Sequence, residues 1–172
     1  VIIIDPEREY SHLCEAVGGT YIDISLNSDA KINPFDLPRA IGEDAKPADI
    51  IRNAVITIKG LVRLMIGEVT PEEDSIIDRA LLETYAKKDI TPEADLRYVE
   101  PPVMQDFQDI LEGMEGGENI VLKIKKYTEG TFSGLLNSPT NVKLNNQLVV
   151  FSVRYLEEEL NPLSIYKIVN YI

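Results

Sequence analysis

Four consecutive β-branched residues, Val1-Ile2-Ile3-Ile4, run directly into Asp5-Pro6. Such a run suits a strand buried on both faces, as in a parallel sheet. Proline ends it, because its ring nitrogen has no hydrogen to give a ladder. Glu7 to Val17 then carries Tyr10, Leu13, Cys14 and Val17 at helical spacing, and Gly18-Gly19 stops the helix. Thr20 to Ser25 alternates Tyr21, Asp23 and Ser25 against Ile22 and Ile24, the period of a second strand. Strand, helix, Gly-Gly, strand is a βαβ-like opening, and it commits the local architecture to α/β.

Beyond the Pro-bounded loop Asn33-Pro34-Phe35-Asp36-Leu37-Pro38 the pattern changes. Pro47 opens a long helix with Ile51, Ala54, Val55, Ile58, Leu61, Val62 and Met65 on one stripe, closed by Gly67. Thr70-Pro71-Glu72-Glu73 is a capping box with proline at the first helical position, and Ile76, Ile77, Ala80, Leu81 and Tyr85 form the stripe that follows. A third helix after Pro101-Pro102 turns Met104, Phe107, Ile110, Leu111 and Met114 inward, and Gly116-Gly117 ends it. A fourth, Glu118 to Tyr127, carries Ile120, Val121, Ile124 and Tyr127. Thr131 to Asn137 reads as a turn-rich connector, Leu148 to Val153 as a buried strand, and Asn161-Pro162 as the start of a last helix through Ile165, Ile168, Val169 and Ile172. The expected organisation is an α/β core made of residues 1–46 and 128–172, with 47–127 as an inserted all-helical subdomain.

The net charge of −12 is concentrated in that insertion. Residues 67–118 hold 15 acids against 4 bases, so the middle of the chain repels nucleic-acid phosphates and reads as a solvated face. One Cys and one His exclude an internal disulfide and the His-rich metal sites. Cys14 lies near His12, but nothing marks the third group a nucleophile pair needs, so Cys14 is expected to be a buried thiol of a reduced protein. No apolar run reaches the roughly 18 residues of a membrane helix; Ile50 to Ile66 is broken by Arg52, Lys59 and Arg63. The chain starts within a strand, with neither a Met nor a leader, and reads as an internal piece of a longer protein.

The chemistry is concentrated in Asp5, Glu7 and Glu9. In open α/β sheets ligands bind beyond the carboxyl ends of the strands, and these three acids follow such an end. A carboxylate there can orient the water that attacks a γ-phosphate, or contact the magnesium shell. The simpler physical account is that Asp5 caps the following helix, with Glu7 and Glu9 at its positive end. Spacing alone does not separate the two.

The order Ile3-Ile4-Asp5-Pro6-Glu7-Arg8-Glu9-Tyr10, Gly18-Gly19, Ile32-Asn33-Pro34-Phe35-Asp36-Leu37 resembles the segment after the P-loop helix in the VirB-four/TraC family. These are the ATPases of conjugation and type IV secretion, within the HerA/FtsK group of RecA-like hexameric motors. Thr131-Phe132-Ser133-Gly134-Leu135-Leu136-Asn137 and Leu148-Val149-Val150-Phe151-Ser152-Val153 with Leu156 are similar to the same family, as is the helical insertion between them. The resemblance implies part of a RecA-like P-loop NTPase sheet, with Glu7 or Glu9 at the water-activating position and Asp5 as a contact of the nucleotide cofactor. It implies ATP and Mg2+ as cofactors of the full-length protein, and a cytoplasmic place at the inner face of the cell membrane. Its implied partners are other secretion components and further copies in a hexamer; DNA contact in the parent gets no support from the acidic middle.

No Gly-x-x-x-x-Gly-Lys-Ser/Thr loop occurs, nor a final apolar strand ending in Asp-Glu, so the phosphate cradle and the magnesium-holding element are absent from this chain. Alone it is expected neither to bind ATP tightly nor to hydrolyse it. Two alternatives share these features: a HerA/FtsK-type DNA translocase, and a non-catalytic docking module for secretion partners made by residues 47–127. Arg8, Arg39 and Arg154 are arginine-finger candidates that read more simply as surface arginines. Lys123, Lys125 and Lys126 read as a solvated face, and Tyr10, Phe35, Phe107, Tyr127 and Phe151 as core.

Overall fold

A computed structural model describes residues 1–38, 42 and 44–172. Among these, the opening forms strand β1 (Ile2–Asp5), helix α1 (Ser11–Ala16) and strand β2 (Thr20–Asp23). The apolar run near residue 150 forms β3 (Val149–Ser152). All three strands are parallel, in the order β1-β3-β2, with Asp5, Ser152 and Asp23 level with one another at their carboxyl ends. The central strand β3 is buried at every position, whereas Ile2, Ile3 and Ile4 of β1 are only partly covered. The two-faced burial expected of β1 therefore belongs to β3, because β1 stands at an edge of the described sheet.

The Gly18-Gly19 stop has a clear cause. Gly18 adopts φ 66°, the left-handed conformation that glycine takes without a Cβ penalty. A Cβ on Gly19 would lie 2.7 Å from Cys14 Sγ and 2.9 Å from the Leu148 carbonyl oxygen. The missing side chain lets the chain leave α1 and enter the sheet beside β3.

Four helices follow: α2 (Pro47–Ile66), α3 (Pro71–Ala86), α4 (Met104–Glu112) and α5 (Glu118–Thr128). The periodic stripes are the buried faces: Ile51, Val55, Ile58, Leu61, Val62 and Met65 on α2, and Ile77, Ala80, Leu81 and Tyr85 on α3. Each buried Val, Leu, Ile or Met of these stripes contributes about 1.5–3 kcal/mol by leaving water, and Ala80 less. The Lys59 and Arg63 pairs with Asp74, and the Lys59 pair with Asp78, run between α2 and α3. They are partly exposed and contribute roughly 0–1 kcal/mol each. Burial, not charge, holds these helices together.

The capping box at α3 forms as expected, with Glu73 N donating to Thr70 Oγ1 and Thr70 N to the Glu73 carboxylate. Glu73 also accepts from Asn119 and Lys123 of α5. The Thr70 amide, then Lys123 and Asn119, outweigh burial and hold its carboxyl below the usual range. A second polar knot joins α4, α5 and the next connection: Thr128 Oγ1 donates to Gln108 Oε1, Gln108 Nε2 to Glu112 and Glu129, and Asn137 Nδ2 to the Thr128 carbonyl. Gln108 is fully buried and serves the core, although no hydropathy pattern marks a polar residue for that place.

The expected connector at 131–137 contains a one-turn helix, α6 (Ser133–Leu136). Helix α7 (Asn161–Tyr171) follows β3 and packs on α2, where Tyr166 Oη donates to the Thr57 carbonyl. Its inward face differs from the expected stripe: Ile168 is buried, but Ile165, Val169 and Ile172 are 40%, 57% and 57% exposed. Leu163 and Lys167 take the buried positions instead. Lys167 Nζ reaches the Leu135 carbonyl at 2.9 Å, and burial, with a smaller effect from Lys31, lowers its pKa to about 7.

The loop after β2 ties sheet to helices. Asn33 Nδ2 donates to the Pro102 carbonyl, Tyr85 Oη donates to the Phe35 carbonyl, and the Phe35 ring lies against Tyr85 and Phe107. One continuous apolar core runs from Ile22 and Phe151 through Phe35 into the helices. No helix among the described residues is long and apolar enough to cross a membrane.

Candidate functional site

The acids after β1 sit at the carboxyl end of the parallel sheet, as expected, but not on a helix. Residues 6–10 form bends and a turn, and α1 begins only at Ser11. Asp5 is the cause. Its carboxylate is 1% exposed and accepts from the Glu9 amide at 3.1 Å, the Tyr10 amide at 3.0 Å and the Tyr21 hydroxyl at 3.0 Å. Burial pushes its pKa up, but the Tyr10, Glu9 and Arg8 amides and the Tyr21 hydroxyl together hold it below the usual value. A depressed carboxyl stabilises the fold above its ordinary pKa, and that stabilisation is lost as pH falls through the depressed value. Asp5 thus shapes the turn, a local form of the capping role.

Arg8 completes the turn with φ 64°. A bulky side chain in this left-handed region costs about 1–2 kcal/mol, so other contacts must hold it. Its guanidinium lies 5.8 Å from the Tyr21 ring centre and 5.4 Å from that of Tyr155, and Nη1 donates to the Tyr155 hydroxyl at 2.9 Å. Arg154 Nη1 donates to the Glu7 carbonyl at 2.7 Å. The turn is therefore fixed at its amides, at a carbonyl and at a side chain. Glu7 and Glu9 are exposed, and their carboxylates have no partner among the described residues. The sheet brings the three acids to one end, with one carboxylate turned inward and two left available.

The remaining candidates divide. Arg8 and Arg154 are engaged within their own chain, and Arg39 lies outside the described residues. Lys123, Lys125 and Lys126 pair with Glu73, Glu129 and Glu159, in keeping with a solvated face rather than a phosphate-binding one. Cys14 is buried, with its thiol pKa pushed up by burial, and His12 is exposed. Phe35, Phe107, Tyr127 and Phe151 are core, but Tyr10 is 39% exposed. Tyr10 lies before α1, and of the stripe expected there only Cys14 is buried, with Leu13 and Val17 50% and 60% exposed.

Sequence reading missed Tyr21 and Tyr155, which hold Arg8, and the buried end of Asp23. Asp23 Oδ1 has no hydrogen-bond partner among the described residues. Tyr21 could have been found from its place two residues before Asp23 on β2; nothing near Tyr155 marks it. A cavity of about 480 Å³ between the 33–38 loop, α2 and α7, and another of about 570 Å³ beside β2, do not take in Glu7 or Glu9.

No protein-family model matches the chain. No curated protein matches it either. Among solved structures it is similar to VirB4 of Thermoanaerobacter pseudethanolicus, with a TM-score of 0.84 and 24% sequence identity over 98% of this chain and 66% of that one. That match shows a shared fold, which takes in the sheet and the helices together. The chain spans slightly less than two thirds of the length of that protein.

Proposed function

We propose that this chain is an internal part of a motor ATPase that energises type IV secretion or conjugative DNA transfer. In this reading residues 1–46 and 128–172 belong to a RecA-like core, 47–127 are inserted into it, and the assembled protein is a hexamer at the inner face of the cell membrane. The observation that carries it is the ordered turn after β1, which presents Glu7 and Glu9 unpaired at the carboxyl end of a parallel sheet. The fold shared with VirB4 supports the same reading.

The residues fit one half of a nucleotide site. Two unpaired carboxylates on a fixed turn suit the group that orients an attacking water and accepts its proton. The cradle is a different matter: the chain has no Gly-x-x-x-x-Gly-Lys-Ser/Thr loop, and no group of three or more acids, His or Cys among the described residues could hold a metal ion. Bound ATP and Mg2+ would supply the phosphoryl group and neutralise its charge. Within this chain Glu7 or Glu9 takes the water's proton, Asp5 sets the turn that aims them, and the sheet fixes the turn's position.

Steady-state Mg-ATP hydrolysis by the full-length protein tests this. Glu7→Gln or Glu9→Gln is expected to lower kcat about 100-fold or more. Unchanged turnover in both variants overturns the catalytic assignment. The 172-residue chain alone is expected to show no micromolar ATP affinity in a titration with magnesium.

A further inference from the structure

We propose that Arg8, Arg154 and Tyr155 form a latch that positions the Glu7–Glu9 turn, so that the segment after β3 sets the aim of the two carboxylates. This rests on the catalytic reading of those carboxylates. Three observations carry it. The turn contains a bulky residue at φ 64°, which local sequence does not favour. The Arg8 side chain that follows from this backbone lies between Tyr21 of β2 and Tyr155 beyond β3, and donates to the Tyr155 hydroxyl. The neighbouring Arg154 holds the Glu7 carbonyl from the same segment. The turn after β1 is thereby keyed to both other strands.

The contacts are placed where positioning matters. Asp5 ties the amides of Glu9 and Tyr10, at the far side of the turn. On the near side the Arg8 amide also reaches Asp5, but the Glu7 carbonyl is held by Arg154 and the Arg8 side chain by Tyr21 and Tyr155. An arginine is suited to both tasks, since its planar guanidinium stacks on a ring and donates at the same time. Arg8, Arg154 and Tyr155 act through the carboxylates and are positioning residues, not catalytic ones.

The test is Mg-ATP hydrolysis by the full-length protein with thermal unfolding of each variant. Tyr155→Ala and Arg154→Ala are expected to lower kcat about tenfold with KM for ATP within about twofold and little change in Tm, as for loss of alignment rather than binding. Tyr155→Phe keeps the ring but loses the hydroxyl that accepts from Arg8, and Arg8→Lys keeps the charge but loses the fork; each is expected to fall between the wild type and Tyr155→Ala. Combined with whichever Glu→Gln change removes turnover, Tyr155→Ala is expected to add nothing further. The latch is overturned if these variants turn over normally while Glu7→Gln or Glu9→Gln does not. It is also overturned if kcat and KM change together, or if the losses add in the double variant. A wild-type protein without Mg-ATP turnover overturns the functional reading itself, and the latch with it.

Discussion

In the helical layer Leu81, Tyr85 and Phe107 are wholly buried, and their neighbours along each helix repeat the pattern every third or fourth residue. In the turn after β1 no side chain from Pro6 to Tyr10 is buried, and its shape depends on Asp5, Arg154 and two tyrosines. The first region is stabilised by area removed from water, spread over many residues. The second is stabilised by a few directional contacts, each of which fixes one backbone group. A region built the first way loses stability when a residue is trimmed. A region built the second way loses its geometry while the fold persists.

That contrast orders the expected effects on stability. Phe107→Ala removes a fully buried ring that packs against Phe35, and is expected to destabilise the chain by about 3–5 kcal/mol in urea unfolding. A cost below about 1 kcal/mol would show that the helical core is looser than its burial implies.

Lys167 gives a pH-dependent effect of similar reach. Its folded pKa of about 7 lies below the ordinary lysine value, so the unfolded chain binds more protons between the two. Its contribution is complete above the ordinary value and is lost as pH falls toward 7. Wild-type stability should therefore rise with pH between about 7 and 10, with a slope from this group of up to about 1.4 kcal/mol per pH unit. Lys167→Met should remove that slope. An identical pH dependence in both proteins would place the lysine in water. Thr70→Ala should cost only about 1 kcal/mol, since it removes one side of the α3 capping box. A loss several times larger would mean that the Glu73 junction with α5 depends on the cap.

The same contrast explains what could be read from the sequence. The stripes of α2 and α3 and the Thr70 box are local, with partners three or four residues away, and each appears where periodicity or capping places it. The Gly18-Gly19 stop is visible as a glycine pair, although the close approach that requires Gly19 is to Cys14 and to the distant Leu148 carbonyl. α7 departs from its hydropathy stripe at Ile165 and Val169 because Lys167 takes an inward position, and no hydropathy pattern anticipates a lysine whose amine meets a carbonyl 32 residues earlier. The acids after β1 were legible as a cluster at a strand end, but the helix drawn through them was not formed. Asp5 competes for the Glu9 and Tyr10 amides, and Arg8 meets a tyrosine 147 residues later. Contacts of that separation leave no trace in a window of neighbouring residues.

The central claim is that Glu7 and Glu9 serve chemistry and not the fold. Thermal unfolding and Mg-ATP turnover measured on the same preparations of the full-length wild type, Glu7→Gln and Glu9→Gln test it directly. Because both carboxylates are exposed and unpartnered, Tm is expected to move by no more than about 2 °C, within the usual range for surface changes, while one variant loses about 100-fold or more in kcat. A fall in Tm that accompanies the loss, or turnover unchanged in both variants, would contradict the account.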